Sequence, residues 1–489
     1  MDDATAYWLT RFLFQRALGL IYLIAFLVVV NQFRPLLGEH GLLPVPQFIR
    51  RVRFRAAPSI FFLCPNDRAF AAFGWLGLGL ALLATTGISE QLGSGVSAAI
   101  WALLWVIYLS FVNVGQTFYA FGWESILLET GFLAIFLGAA DTAPSAIMIW
   151  LLRWVLFRVM FGAGLIKLRG DPCWRDLTCL FYHYETQPLP NPLSWYFHWM
   201  PGWFHKAGVI FNHVVELVVP FFYFAPQPLS SIAGTLTIVF QGSLIVSGNF
   251  SWLNFLTIVL AISTFDDAVL RMVLPVAPPP LNPLAPLHRY AIWAVALLVA
   301  VLSINPIRNM LSSRQVMNTS YNPLHLVNTY GAFGSITRTR LEIVLEGTDA
   351  VVLTPATPWR AYEFKAKPGD VRRRPPQIAP YHLRLDWLMW FAAMSSYQYH
   401  PWLLHLIAKL LAGDRATLKL LKSNPFCGQP PRYVRALLYR YRFTTREEQR
   451  QTGCWWHREL VGIYFPPVSL TDRPFRNVLR TLGWVPETV

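Results

Sequence analysis

The chain has 489 residues, 54% hydrophobic and 14% charged, with 20 Trp and 35 Phe. Soluble domains carry roughly 25% charged residues, so the composition excludes a wholly water-soluble protein and points to a membrane protein with an appended polar part. The net charge of +15 sits late: from Arg308 onward there are 25 Lys+Arg against 12 Asp+Glu, and before it 16 against 14.

The N-terminus is acidic at its tip and runs into a long apolar stretch with no small-residue cleavage site, so it reads as a first spanning helix from about Phe12 to Asn31, not a cleavable signal. The loop 32–68 carries Arg34, Arg50, Arg51, Arg53, Arg55 and Arg68 among several prolines and reads as an interfacial segment. Further spans are expected near 69–87, 98–120, 123–140 and 145–168, then near 207–225, 229–247, 250–266 and 289–306. Two or three of these nine are short or polar enough to be re-entrant.

The acidic and basic residues inside this bundle are few. Glu124 and Glu129 lie on one helix, and Arg153 and Arg158 on the next. Counting outward from the turn between them puts Glu129 level with Arg153 and Glu124 level with Arg158, so two buried ion pairs are expected, chiefly to fix helix register. His213 and Glu216 share a helix face but do not by themselves make a metal site. No metal and no cofactor is expected.

Between the two groups of spans lies the stretch Leu156–His205, whose polar part holds two cysteines, several histidines and dense aromatic and proline content. Trp174, His183, Tyr184 and Glu185 are its recognition or loop candidates. A disulfide between Cys173 and Cys179 is expected if the loop faces an oxidising compartment, with free thiols as the open alternative. Cys64, Cys427 and Cys454 are scattered, and no CxxC occurs.

After Pro306 the period changes. Leu341–Glu346 and Tyr362–Lys367 alternate as strands do, and 329–340 reads as a strand pair. His382–Ser395, with Trp387 and Trp390, is amphipathic and either lies along a membrane or covers a sheet. Trp402–Leu411 and Thr417–Lys422 look helical, and Tyr433–Thr444 and Trp455–Tyr464 look like late strands. The expected fold is a polytopic α-helical membrane bundle of about eight or nine spans followed by an α+β, partly β-sheet, water-facing C-terminal domain. Its parts are 1–168 (membrane helices), 169–206 (Cys/aromatic loop), 207–307 (membrane helices) and 308–489 (water-facing domain).

No GxSxG, Walker loop, HExxH or GxGxxG signature occurs. The basic C-terminal third suits anionic headgroups or an acidic protein surface, and no nucleic-acid reading motif accompanies it. The segments YWLTRFLFQRALGLIYLIAFLVVVNQFRPLLGEHGLLPVP, FGWESILLETGFLAIFLG, FGAGLIKLRGDPCWRDLTCLFYHYETQPLPNPLSWYFH, NPLHLVNTYGAFGSITRTR and PPQIAPYHLRLDWLMWFAAM resemble, in this order, the lipase maturation factor family. The resemblance runs from about Tyr7 to Ser469. It implies a multi-pass protein that is no enzyme but assists folding of secreted lipases, with Leu324–Ser469 engaging the client lipase. Trp387 and Trp390 then join the loop residues as client-binding candidates. The membrane would be that of the endoplasmic reticulum in a eukaryote and the inner membrane in a bacterium. A fainter likeness of the bundle and of AGLIKL to vitamin K-dependent gamma-carboxylases implies, as an alternative, a carboxylase or quinone-oxidoreductase type of membrane enzyme with Lys167 as base. The plainer reading of Lys167 is a side chain that snorkels to the interface. Orientation is divided: the positive-inside rule draws loop 32–68 to the cytoplasm, and with it the central loop and C-terminal part, whereas the family resemblance implies the opposite side.

Overall fold

The computed structural model describes residues 6–483. Nine helices alternate between two ends of a bundle: α1 Trp8–Leu37, α2 Asp67–Thr86, α3 Ser94–Val114, α4 Gly122–Ala134, α5 Ala146–Arg169, α6 Gly202–Phe224, α7 Leu229–Ser247, α8 Leu253–Thr264 and α9 Pro286–Leu311. Among the described residues, seven are long and apolar enough to cross a membrane. The spans expected at 123–140 and 250–266 are instead the short helices α4 and α8, of 13 and 12 residues. Most of their residues are buried. Their apolar character serves packing against neighbouring helices, which requires less length than facing lipid.

The two ends are fastened differently. At the end holding the N-terminus of α1, the Asp267 carboxylate accepts the backbone N–H groups of Leu9 and Thr10 at 2.8 and 3.2 Å. Such a cap meets the orphan donors of a first helical turn. At the opposite end lie the arginine-rich loop, the central loop and the C-terminal domain.

That domain is built on a four-stranded antiparallel sheet of β1 Arg340–Thr348, β2 Arg360–Ala361, β3 Tyr433–Phe443 and β4 Trp456–Val468, in the order β2-β1-β3-β4. Helices α10 Arg384–Ala393 and α11 Pro401–Leu411 pack against it. Helix α10 is buried along most of its length because it lies between β1 and the bundle, so the segment expected to rest on a membrane or cover a sheet does the second. Two strand expectations fail. Beyond Ala361 the Tyr362–Lys367 run does not continue as a strand: Tyr362 donates to the Leu345 carbonyl at 2.9 Å and Glu363 makes an isolated bridge to Ser423, after which Ala366 and Lys367 give their N–H groups to the Asp386 carboxylate at 2.7 and 3.1 Å. Its alternation survives as buried Tyr362, Phe364 and Ala366 under the sheet. The 329–340 stretch forms no hairpin. Most of it runs as irregular chain along α5, where Gly162 and Gly170 leave room for the carbonyls of Tyr330 and Gly334; a Cβ at either glycine would collide with that backbone.

Candidate functional site

The central loop begins where α5 ends. Asp171 caps a short turn by accepting the Cys173 N–H at 3.0 Å, and Arg338 donates to the same carboxylate at 2.7 Å. That guanidinium holds the Asp171 carboxyl down to about 2. Cys173 and Cys179 are joined by a disulfide, Cα–Cα 4.8 Å, packed beside Trp174 and Val209. The chain then forms two short helices, Leu180–Thr186 and Ser194–His198.

This loop is cemented to the C-terminal domain. Arg340, buried at the start of β1, pairs with Glu342 at 2.6 Å and donates to the carbonyls of Glu185, Gln187 and Pro188. Lys367 pairs with the same Glu342 at 2.9 Å. Glu185 accepts the Phe443 N–H at 2.6 Å, and the indoles of Trp195 and Trp390 donate to the carbonyls of Thr444 and Thr186 at 2.8 and 3.0 Å. The expected loop and client candidates Trp174, His183, Tyr184, Glu185, Trp387 and Trp390 therefore form the seam inside the molecule, and none of them is exposed. Glu185 and Trp390 among them bond across the joint between the central loop and the C-terminal domain.

Glu124 and Glu129 of α4 and Arg153 and Arg158 of α5 are all buried, but the expected pairing does not form. Arg158 bonds Glu129 through two nitrogens, and Glu129 also accepts from Tyr330 at 2.6 Å and Asn328 at 3.0 Å. Glu124 pairs with Arg384 of α10 at 2.7 Å and accepts from the Tyr108 hydroxyl. Arg153 donates to the Ser263 carbonyl at 2.8 Å and to the Tyr7 hydroxyl at 3.4 Å. Depth counting along two helices could not see partners brought in by residues 328–330 and 384, which lie far along the chain. The sign that points to Arg384 is its place beside Asp386 within an otherwise apolar run, where an unpaired charge would be costly.

Between the bundle, the seam and α10 lies a cavity of about 640 Å³, lined among others by Trp123, Lys167, His183, Asn254, Phe333 and Trp387. Lys167 does not snorkel outward. It is 4% exposed and gives its ammonium to both oxygens of Glu216, at 2.6 and 2.8 Å, and to Asn212 at 2.8 Å. The Trp174 ring lies 4.9 Å from its nitrogen. These contacts hold the Lys167 side chain inside the bundle, against the cavity wall. His213, one turn before Glu216, turns instead to the Trp174 carbonyl at 3.0 Å. His382 is enclosed by the rings of Phe121, Trp123, Trp252 and Trp387, and burial drives its pKa well below the usual histidine range.

Comparison with known families decides the identity. Residues 9–272 match the lipase maturation factor transmembrane domain, and residues 326–466 match the lipase maturation factor C-terminal domain. The chain belongs to the lipase maturation factor family. It is similar to lipase maturation factor 1 of mouse and of human, 45% identical to each, over 98% of this chain and 90% of the relative. It is 30% identical to human lipase maturation factor 2 over 97% of this chain and 85% of the relative. No solved structure matches. In lipase maturation factor terms, the seam joins the two family domains. Arg340 and Arg384 of the C-terminal domain reach the central loop and α4 of the transmembrane domain.

Proposed function

We propose that this integral multi-pass membrane protein assists the maturation of secreted lipases, and that its C-terminal domain takes the client. The observation that carries this is similarity to lipase maturation factor 1 along nearly the whole chain, both domains included. A maturation role accords with the relatives' name.

The edge strand β4 supports the assignment of the client to the C-terminal domain. Among the described residues it pairs only on its β3 side, and Leu460, Val461 and Ile463 on it are 60%, 52% and 66% exposed. An open edge with outward apolar side chains is suited to bind an extended or partly folded segment of another protein. The end of the bundle carrying this domain is assigned to the endoplasmic reticulum lumen, or to the periplasm in a bacterium. The Cys173–Cys179 disulfide lies at that end, and disulfides persist in oxidising compartments. The arginine-rich loop at the same end pulls toward the cytoplasm, but a stable disulfide is the stronger constraint.

The test is to delete the gene in its host and measure secreted lipase activity against lipase protein. Specific activity should fall while transcript is unchanged, and full-length protein should restore it. Full-length Leu460→Glu/Ile463→Arg should restore it poorly. Complete restoration by that variant would remove β4 as the client surface.

A further inference from the structure

The cavity holds more unsatisfied polarity than a structural void. Asn254 of α8 is 3% exposed and lines the cavity, and its side-chain amide has no hydrogen-bond partner among the described residues. His183 is 6% exposed, lines the cavity from the central loop, and its ring nitrogens likewise have none; its ring packs against those of Tyr184, Phe250 and Phe333. Buried polar groups in native proteins are rarely left so. Both groups can donate and accept.

The rest of the lining says what kind of molecule would meet them. The walls beside these two groups are apolar and aromatic, among them Phe250, Phe333 and Trp387. Among the described residues the charges in the lining are Lys167 and Glu216, which cancel each other, and the three ammonium contacts of Lys167 are all internal. An anionic head would find no free cation and would face the Glu216 carboxylate. Water alone would satisfy the amide and the ring but would wet the aromatic wall, which is unfavourable. A few well-placed polar groups in a concave apolar space of this size are the usual make-up of a small-molecule site.

We propose that this cavity binds a neutral amphiphilic lipid, with its hydroxyl or carbonyl groups bonded to Asn254 and His183 and its apolar body along the aromatic wall. The bilayer around the helices is the source.

The experiment uses full-length protein in lipid nanodiscs and three diazirine probes: a monoacylglycerol, a sterol and a fatty acid. The cross-linked peptides are read by mass spectrometry. One of the two neutral probes should label peptides from 159–163, 250–257 or 387–391, saturably, and about tenfold more than the anionic fatty acid. The two neutral arms separate an acyl from a ring-bodied lipid. Asn254→Leu, which removes the amide at similar size, should cut labelling about tenfold, the equivalent of roughly 1.4 kcal/mol. Ala163→Phe, which fills the space, should abolish it. Unfolding temperature and gel-filtration profile show whether each variant folds, and the wild-type probe comparison decides alone if neither does. The proposal falls if neither neutral probe labels these peptides, if the fatty acid labels them equally well, or if both folded variants label like wild type.

Discussion

Arg384 Nη1 donates to Glu124 Oε1 across 2.7 Å, joining α10 to α4 over 260 residues of chain, with neither side chain exposed. The same nitrogen donates to the Phe118 carbonyl at 2.7 Å, and the guanidinium stacks on Tyr119 at 3.4 Å. The bundle and the C-terminal domain thus share one buried charge pair.

Truncating one partner strands the other charge in a dry interior. Arg384→Met is expected to destabilise the protein by about 3–5 kcal/mol. Thermal unfolding in detergent measures it. Adding Glu124→Leu should recover part of the loss, and no recovery would mean that packing, not charge, holds the joint.

Tyr330 ties residues 328–336 to α4 through its 2.6 Å bond to Glu129. Tyr330→Phe leaves the ring and removes one bond to a charged acceptor, a loss of about 2 kcal/mol. The readout is again unfolding, with limited proteolysis near 312–340 as the local probe. Unchanged protection there would argue that the glycine contacts alone seat this segment.

The Cys173–Cys179 bridge closes a short loop, so Cys173→Ser with Cys179→Ser should cost about 2 kcal/mol on loop-closure grounds. Non-reducing mass spectrometry of protein taken from native membranes should find a bridged peptide. Both thiols free in that sample would sink the disulfide and the compartment argument with it.

Burial, reinforced by the nearby Lys167 charge, holds the His183 ring down to about 4. Its folded pKa is below the ordinary 6.5, so the unfolded chain binds that proton more readily. Stability is therefore full above pH 6.5 and declines as pH falls toward 4, by up to about 1.4 kcal/mol per pH unit for this group. His198 and His325 are held near 4 mainly by burial and add to the slope. His183→Gln should remove one proton's share of it, and an identical acid slope in the variant would contradict the assignment.

The central loop and the C-terminal domain occupy one end of the bundle, so impermeant thiol reagents should reach both from one side of a sealed vesicle. Cys427 is exposed in the domain, and Arg175→Cys would supply the loop position. Labelling from opposite sides would refute the shared seam.

Apolar content, run lengths and period changes made the bundle, the central loop and most of β1, β3 and β4 legible, because lipid exposure and strand pleating both write directly into the order of residues. The burial of Glu124, Glu129, Arg153 and Arg158 was legible for the same reason: charges are rare in apolar helices. Their partners were not. Arg384, Arg340 and residues 328–330 come from distant chain, and nothing in local spacing says which carboxylate they will meet. The failure of Tyr362–Lys367 to continue as a strand has the same origin, since the Asp386 carboxylate takes the Ala366 and Lys367 N–H groups.

What the chain order determined alone, then, is a greasy anchor, a decorated hinge and a mixed tail. Only the folded molecule decided that the hinge turns its aromatic residues inward, that Lys167 faces Glu216 and not the water, and that a cavity opens among them. Each of those outcomes depends on long-range partners that satisfy buried charge, and such partners are chosen by three-dimensional proximity, which local pattern does not encode.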